Sequence, residues 1–220
     1  MRERNGASAS GAGGLPTRRS ALGSGGAPRL KEMKNRWALV VMGAWLMGTL
    51  CTSIVATENF YTIDRLLADR ANLAFASAVD RLGSPQARDL LRYLASELNR
   101  LYFQIWNVTQ IVLGALAFWL IAERRARRGV MLMVAIVLLM LVYLTPAIVS
   151  LGRSLDFVPR DPAPPRMQRF WILHAVYTTL EMIKLLIGGV VTVVVARQTL
   201  RGRDDLRAFE GTVEVHRFEP

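Results

Sequence analysis

The sequence predicts an all-α integral membrane protein: a four-helix bundle with an extra amphipathic helical hairpin between its first and second spans. Three observations predict it. Hydrophobic residues make up 52% of the chain and charged residues only 20%. The apolar residues gather in four long blocks, 37–56, 101–122, 130–151 and 170–196, each long enough for the roughly 20 residues a helix needs to cross the hydrocarbon core. The charges are also unevenly placed. Segments 1–36, 123–129 and 197–220 hold 17 Lys/Arg against 8 acidic residues, whereas 57–100 and 152–169 hold 10 against 8. Basic residues near span ends are retained in the cytoplasm, so both termini are expected inside. The formal charge of +11 is therefore a topology pattern, and a nucleic-acid partner is not expected.

Residues 1–36 are rich in Gly, Ala, Ser and Arg, lack the large apolar side chains a core needs, and are expected to be disordered. "MKNRWALVV" from Met33 would itself make a good start. Residues 1–32 are thus either outside the mature protein or a basic arm that touches anionic lipid. In the first span Ala44, Gly48, Thr52 and Ala56 repeat every four residues, a small-residue seam that permits close helix packing. Cys51, the only cysteine, excludes an intramolecular disulfide and is expected to be a small buried apolar residue.

Segment 57–100 reads as the hairpin. Phe60, Ile63, Leu66, Leu67 and Phe75 recur at helical spacing, and "GSPQ" (83–86) reads as a stop and restart. Gly83 suits a left-handed helix end, Ser84 a cap and Pro85 a first turn. Ala87, Leu90, Leu91, Leu94, Leu98 and Leu101 then fall on one face. The second span carries Asn107, Gln110, Gly114 and Ala117 on a shared face. "ERRARR" (123–128) after it is the sharpest cytoplasmic signal. In the third span Pro146 predicts a bend, with Thr145 able to satisfy freed backbone groups. Residues 152–169 form a proline-rich outer loop, and 198–220 a short cytoplasmic tail. Trp37, Trp106, Trp119 and Trp171 lie near span ends as interfacial anchors.

The fourth span holds the chemistry. His174, Tyr177, Thr178, Glu181, Lys184 and Gly188 form a polar-to-small stripe at helical spacing, opposite Ile172, Val176, Ile183, Ile187, Val190 and Val194. At about 1.5 Å per residue from the outer ends, Asn107 lies about 9 Å deep, Gln110 about 14 Å and Glu181 about 17 Å. A Gln110–Glu181–Lys184 cluster near the midplane is geometrically possible. An intramembrane charge is costly unless paired, and Glu181 and Lys184 at i, i+3 can pair on their own helix. One reading is a self-compensated pair that fixes helix packing, with Ala44, Gly48, Thr52, Gly114 and Gly188 as close-packing positions. The other is a site for a proton, an ion or a small polar solute, lined by Glu181, Lys184, Gln110, Asn107, His174, Tyr177 and Thr178.

His174 and His216 lie too far apart to share a metal or haem, and HExxH, GxSxG, P-loop and GxGxxG patterns are absent. No cofactor and no enzymatic activity are expected.

"FWILHAVYTTLEMIKLLIGG" (170–189) and "YLTPAIVSLGRSLD" (143–156) resemble the last two spans of a family of small four-span membrane proteins that includes transmembrane protein 205. Tyr177 and Glu181 depart from the small or amide residues of that pattern, and segment 57–100 is longer. The resemblance implies a four-helix membrane protein without an established catalytic activity. The functions expected are a non-enzymatic accessory or structural subunit of a membrane complex, or a small transporter or channel with a midplane Glu/Lys/Gln site. The expected partners are the bilayer and a membrane-protein partner or further copies of the chain. The Arg- and Ala-rich composition points to a bacterial inner membrane.

Overall fold

A computed structural model describes residues 26–159 and 161–217, with side chains described over 30–159 and 161–204. All the regular structure among the described residues is helical: α1 (Gly26–Asp69), α2 (Leu73–Leu82), α3 (Ser84–Leu120), α4 (Arg124–Leu139), a π-type turn (Met140–Leu144), α5 (Thr145–Arg153) and α6 (Pro165–Arg217). Four stretches are long and apolar enough to cross a membrane: Leu30–Asp69, Ser84–Leu120, Arg124–Arg153 and Pro165–Asp204. They pack as a ring in which α1 touches α3 and α6, and α4 touches the same two helices. The α3 and α6 helices therefore face each other across the bundle axis.

The first helix begins earlier and ends later than the sequence predicts. Residues 26–36 are helical where disorder was expected, and Glu32 and Arg36 pair one turn apart at 2.6 Å. The disorder expected of residues 1–25 lies outside the described residues. Beyond residue 56 the chain holds no Gly or Pro until past Asp69, so nothing stops the helix there. It ends at Arg70, which has a φ of 45°. The Asn72 side chain then accepts from Phe75 N at 3.0 Å and caps α2.

Gly83, with a φ of 91°, closes α2 and precedes α3. Ser84 is the first residue of α3 and not its cap, and Pro85 sits in the first turn as its missing N–H allows. The face of α3 turned inward here is Ala87, Ala95 and Asn99, whereas Leu90, Leu94 and Leu101 are exposed. These leucines lie about 100° or more around the helix from Ala95, at 100° per residue. The two outer helical stretches are tied by asparagine: Asn59 donates to Asn99 Oδ1 at 2.6 Å, and Asn99 donates to the Ala56 carbonyl at 2.9 Å.

The main apolar core lies toward the end of the bundle that holds residues 120–130. Ala38, Met42, Trp45, Ala117, Val130, Met133, Val137 and Val195 are fully buried there. A second cluster of Ile136, Met140, Leu144 and Tyr177 lies toward the other end. Within this second cluster the chain departs from α-helical geometry. Pro146 offers no N–H, and the Thr145 N–H reaches back five residues to the Met140 carbonyl, so the predicted bend takes the form of a π-type turn. The Thr145 hydroxyl accepts from Asn107 on α3 in place of the backbone role expected of it. The last helix takes up Pro165–Arg217, so the proline-rich connection shortens to 154–164, and residues 198–217 of the tail continue the helix.

Candidate functional site

The site lies on the bundle axis, where the polar faces of α3 and α6 meet. Asn107, Gln110, Gly114 and Ala117 share the inward face of α3; Tyr177, Glu181, Lys184 and Gly188 share that of α6. Both sets step by three and four residues, so each forms one stripe. A glycine in each stripe lets side chains of the flanking helices α1 and α4 pack closely. A Cβ at Gly114 would lie 2.4 Å from Val134 Cγ2, and one at Gly188 would lie 2.6 Å from Leu46 Cδ2.

Lys184 reaches across the axis. Its ammonium donates to Gln110 Oε1 and, at 2.9 Å, to Glu181 Oε1 on its own helix. Glu181 Oε2 is 2.8 Å from the same nitrogen but outside hydrogen-bond geometry. Gln110 Oε1 also accepts from the Trp45 indole N–H of α1 at 3.0 Å. On its other side Gln110 donates to Asn107 Oδ1 at 3.4 Å, and Asn107 donates to Thr145 Oγ1 of α5 at 3.1 Å. One connected set of hydrogen bonds therefore touches all four long apolar stretches. It is closed to the surroundings: Lys184 is 1% exposed, and Gln110 and Asn107 are 0% exposed. A buried ammonium is tolerable only with such partners, since the cost of stripping its water must be offset by charge and hydrogen bonds.

Two of the seven polar residues expected at the site stand apart from it. His174 and Thr178 are exposed, and the Thr178 hydroxyl donates to the His174 carbonyl on its own helix at 3.0 Å. Thr178 lies 100° around the helix from Tyr177 and His174 about 60°, enough to turn both to the outside. The expected lipid side is corrected in part, because Ile187 and Val194 pack against the main core. On α1 the four-residue repeat also drifts, by about 40° per step. Ala44 is exposed, Thr52 is half-buried, and Gly48 is where the Trp106 ring packs, 2.1 Å from where a Cβ would stand. Trp106 is thus a packing residue between α1 and α3, while Trp37, Trp119 and Trp171 are exposed. Cys51 is exposed and not buried.

Trp45 and Thr145 are the members of the network that the sequence reading missed. Trp45 carried a signal, as the one tryptophan in the middle of an apolar block instead of near its end. A second cluster was also missed, because its members read as ordinary loop and helix-surface charges. The Arg100 guanidinium, near the middle of α3, donates to both Asp156 oxygens at 3.2 and 2.9 Å and to Glu97. Arg153 lies 3.4 Å from the other Glu97 oxygen. Phe157, next to Asp156, has a φ of 59° and packs on Tyr93 with ring centroids 5.2 Å apart. Hydrogen bonding from Arg153 foremost, with Arg100 adding to it against partial desolvation, holds the Glu97 carboxyl below its ordinary value.

Among the described residues no group of three His, Cys, Asp or Glu side chains gathers where it could hold a metal ion. What fold and site define is a bundle of four helices, each long and apolar enough to cross a membrane, locked by a buried polar network. No family model matches the chain, and neither does any curated protein or solved structure.

Proposed function

We propose that this chain is a polytopic membrane protein that serves as a non-enzymatic accessory or structural subunit of a membrane complex. One observation carries the reading: Lys184 finds both its acceptors, Gln110 and Glu181, within the chain. Charge and hydrogen bonding there go into holding four helices in one arrangement, which is what a docking scaffold needs. The resemblance of the last two spans to the family that includes transmembrane protein 205 supports the four-span part of the proposal and supplies no activity. The charge asymmetry supports cytoplasmic termini, and the Arg- and Ala-rich composition supports a bacterial inner membrane. The outer recognition surface in this reading is the hairpin of 57–100 with the connection 154–164.

The test is purification of the tagged chain from native membranes in mild detergent, with co-eluting proteins identified by mass spectrometry. A stoichiometric partner supports the reading. Elution alone or as a homo-oligomer overturns it.

A second reading, a small transporter or channel, is favoured by one observation: Tyr177 Oη and Glu181 Oε2, beside the lysine, have no hydrogen-bond partner among the described residues. It expects solute or proton flux by the isolated chain in liposomes, abolished by Glu181→Gln alone and by Lys184→Met alone.

A further inference from the structure

Three buried side-chain atoms are without a hydrogen-bond partner among the described residues: Trp106 Nε1, Tyr177 Oη and Glu181 Oε2. The indole belongs to a different place, packed over Gly48. Tyr177 and Glu181, by contrast, are one turn apart on the inward face of α6, and both residues are more than nine-tenths buried. Their needs are complementary. A carboxylate oxygen only accepts, while a phenol hydroxyl donates or accepts. Asn107, on the inward face of α3, has one of its two amide hydrogens taken, by Thr145.

We propose that Tyr177 and Glu181 bind a single water molecule between them. It donates to Glu181 Oε2 and accepts from the Tyr177 hydroxyl or the spare Asn107 N–H. Two such partners fall within the range of about two to four that buried waters have. Without the water the Tyr177 hydroxyl is buried unpaired, and Glu181 Oε2 keeps only the charge of Lys184, 2.8 Å away, with no hydrogen bond. The π-type turn helps to explain why the site lies here. Leu144 and Met140, on the turn, pack in the same cluster as Tyr177, and Thr145 directly after it points its hydroxyl at Asn107. Toward the other end, Lys184 and then Met133, Val130, Val191 and Val195 close the axis. The water is therefore a dead-end member of the network. The inference deepens the packing reading above, and it needs no partner protein.

Radiolytic hydroxyl labelling of the full chain in lipid nanodiscs tests it, because radicals born from ordered water mark the residues beside that water. Tyr61, exposed beyond the predicted first span, and Tyr143, exposed on an apolar stretch, are the internal references. If the water is bound, Tyr177 labels within about tenfold of Tyr61 despite its burial, and Tyr143 labels far more slowly. The double substitution Glu181→Met, Lys184→Met removes the acceptor while keeping volume and net charge, and should lower Tyr177 labelling about tenfold with Tyr61 unchanged. An unlabelled Tyr177 in the wild-type chain overturns the proposal, whether or not the variant folds. So does unchanged labelling in the double variant. A purification that finds no partner would sink the accessory reading and leave this result standing.

Discussion

Lys184 and Arg100 solve the same problem in two different solvents. Each is a cation held by oxygen-bearing side chains, Lys184 by Gln110 and Glu181 on the bundle axis, Arg100 by Glu97 and Asp156 in an outer cluster, away from that axis. Lys184 is 1% exposed and Glu181 10%, whereas Arg100 is 11% exposed, Asp156 16%, Glu97 33% and Arg153 61%. Bulk water can repair the outer cluster when a member is lost, and it has far less access to Lys184. The difference teaches that a broken pair is costly in proportion to how little solvent can replace the missing partner.

The largest effect should therefore come from breaking the inner pair on one side only. Glu181→Leu leaves an ammonium with Gln110 as its sole acceptor and should cost about 3–5 kcal/mol, as loss of one partner does in buried pairs. Adding Lys184→Met should recover most of that loss, because replacing a buried pair by apolar residues of similar volume is often close to neutral. Reversible unfolding in mixed micelles reads both. If the single variant is no less stable than the double, the pair is not coupled as the distances imply.

The outer cluster comes next. Arg100→Met removes charge-assisted hydrogen bonds to two carboxylates that keep contact with water, and should cost about 2 kcal/mol. Its effect should add to that of the inner variants, since no shared partner joins the two clusters. A loss as large as that of Glu181→Leu would show that the outer cluster is as dry as the inner one, and the comparison would fail.

The difference between the clusters also explains what was legible in the sequence. Four apolar blocks and their charged ends announce four long helices, because hydropathy over about 20 residues is a local property. Glu181 and Lys184 stood out because they break an apolar run, and their three-residue spacing suggested the pair. Gln110 was reachable by counting depth along α3. Trp45 gave only a weak sign, its place in the middle of an apolar block, and nothing local showed that its N–H would find Gln110. Arg100 and Asp156 are 56 residues apart, and nothing local distinguishes them from neighbouring surface charges. The exposure of His174, Thr178 and Ala44 was missed for a simpler reason. A stripe drawn at three- and four-residue steps is wider than the strip a neighbouring helix covers, so its margins face outward.

The smallest effect expected is also the one that separates the clusters by pH. Arg153 and Arg100 hold the Glu97 carboxyl below its ordinary value of 4.5. A carboxyl whose folded-state value is depressed binds its proton more readily in the unfolded chain. Its contribution to stability is thus fully present above pH 4.5 and is lost as pH falls from there through the lowered folded value. Glu97→Gln should accordingly lower the unfolding temperature in micelles slightly at neutral pH, and the gap from the wild-type chain should close on acidification below 4.5. The residue is open to water, so the neutral-pH gap should also shrink with added salt, as exposed pairs do. A gap that persists in acid would mean that Glu97 supports the loop through packing and not through its charge. The Arg100–Asp156 bond would then be the only electrostatic tie between α3 and residues 153–156 among the contacts described for this cluster.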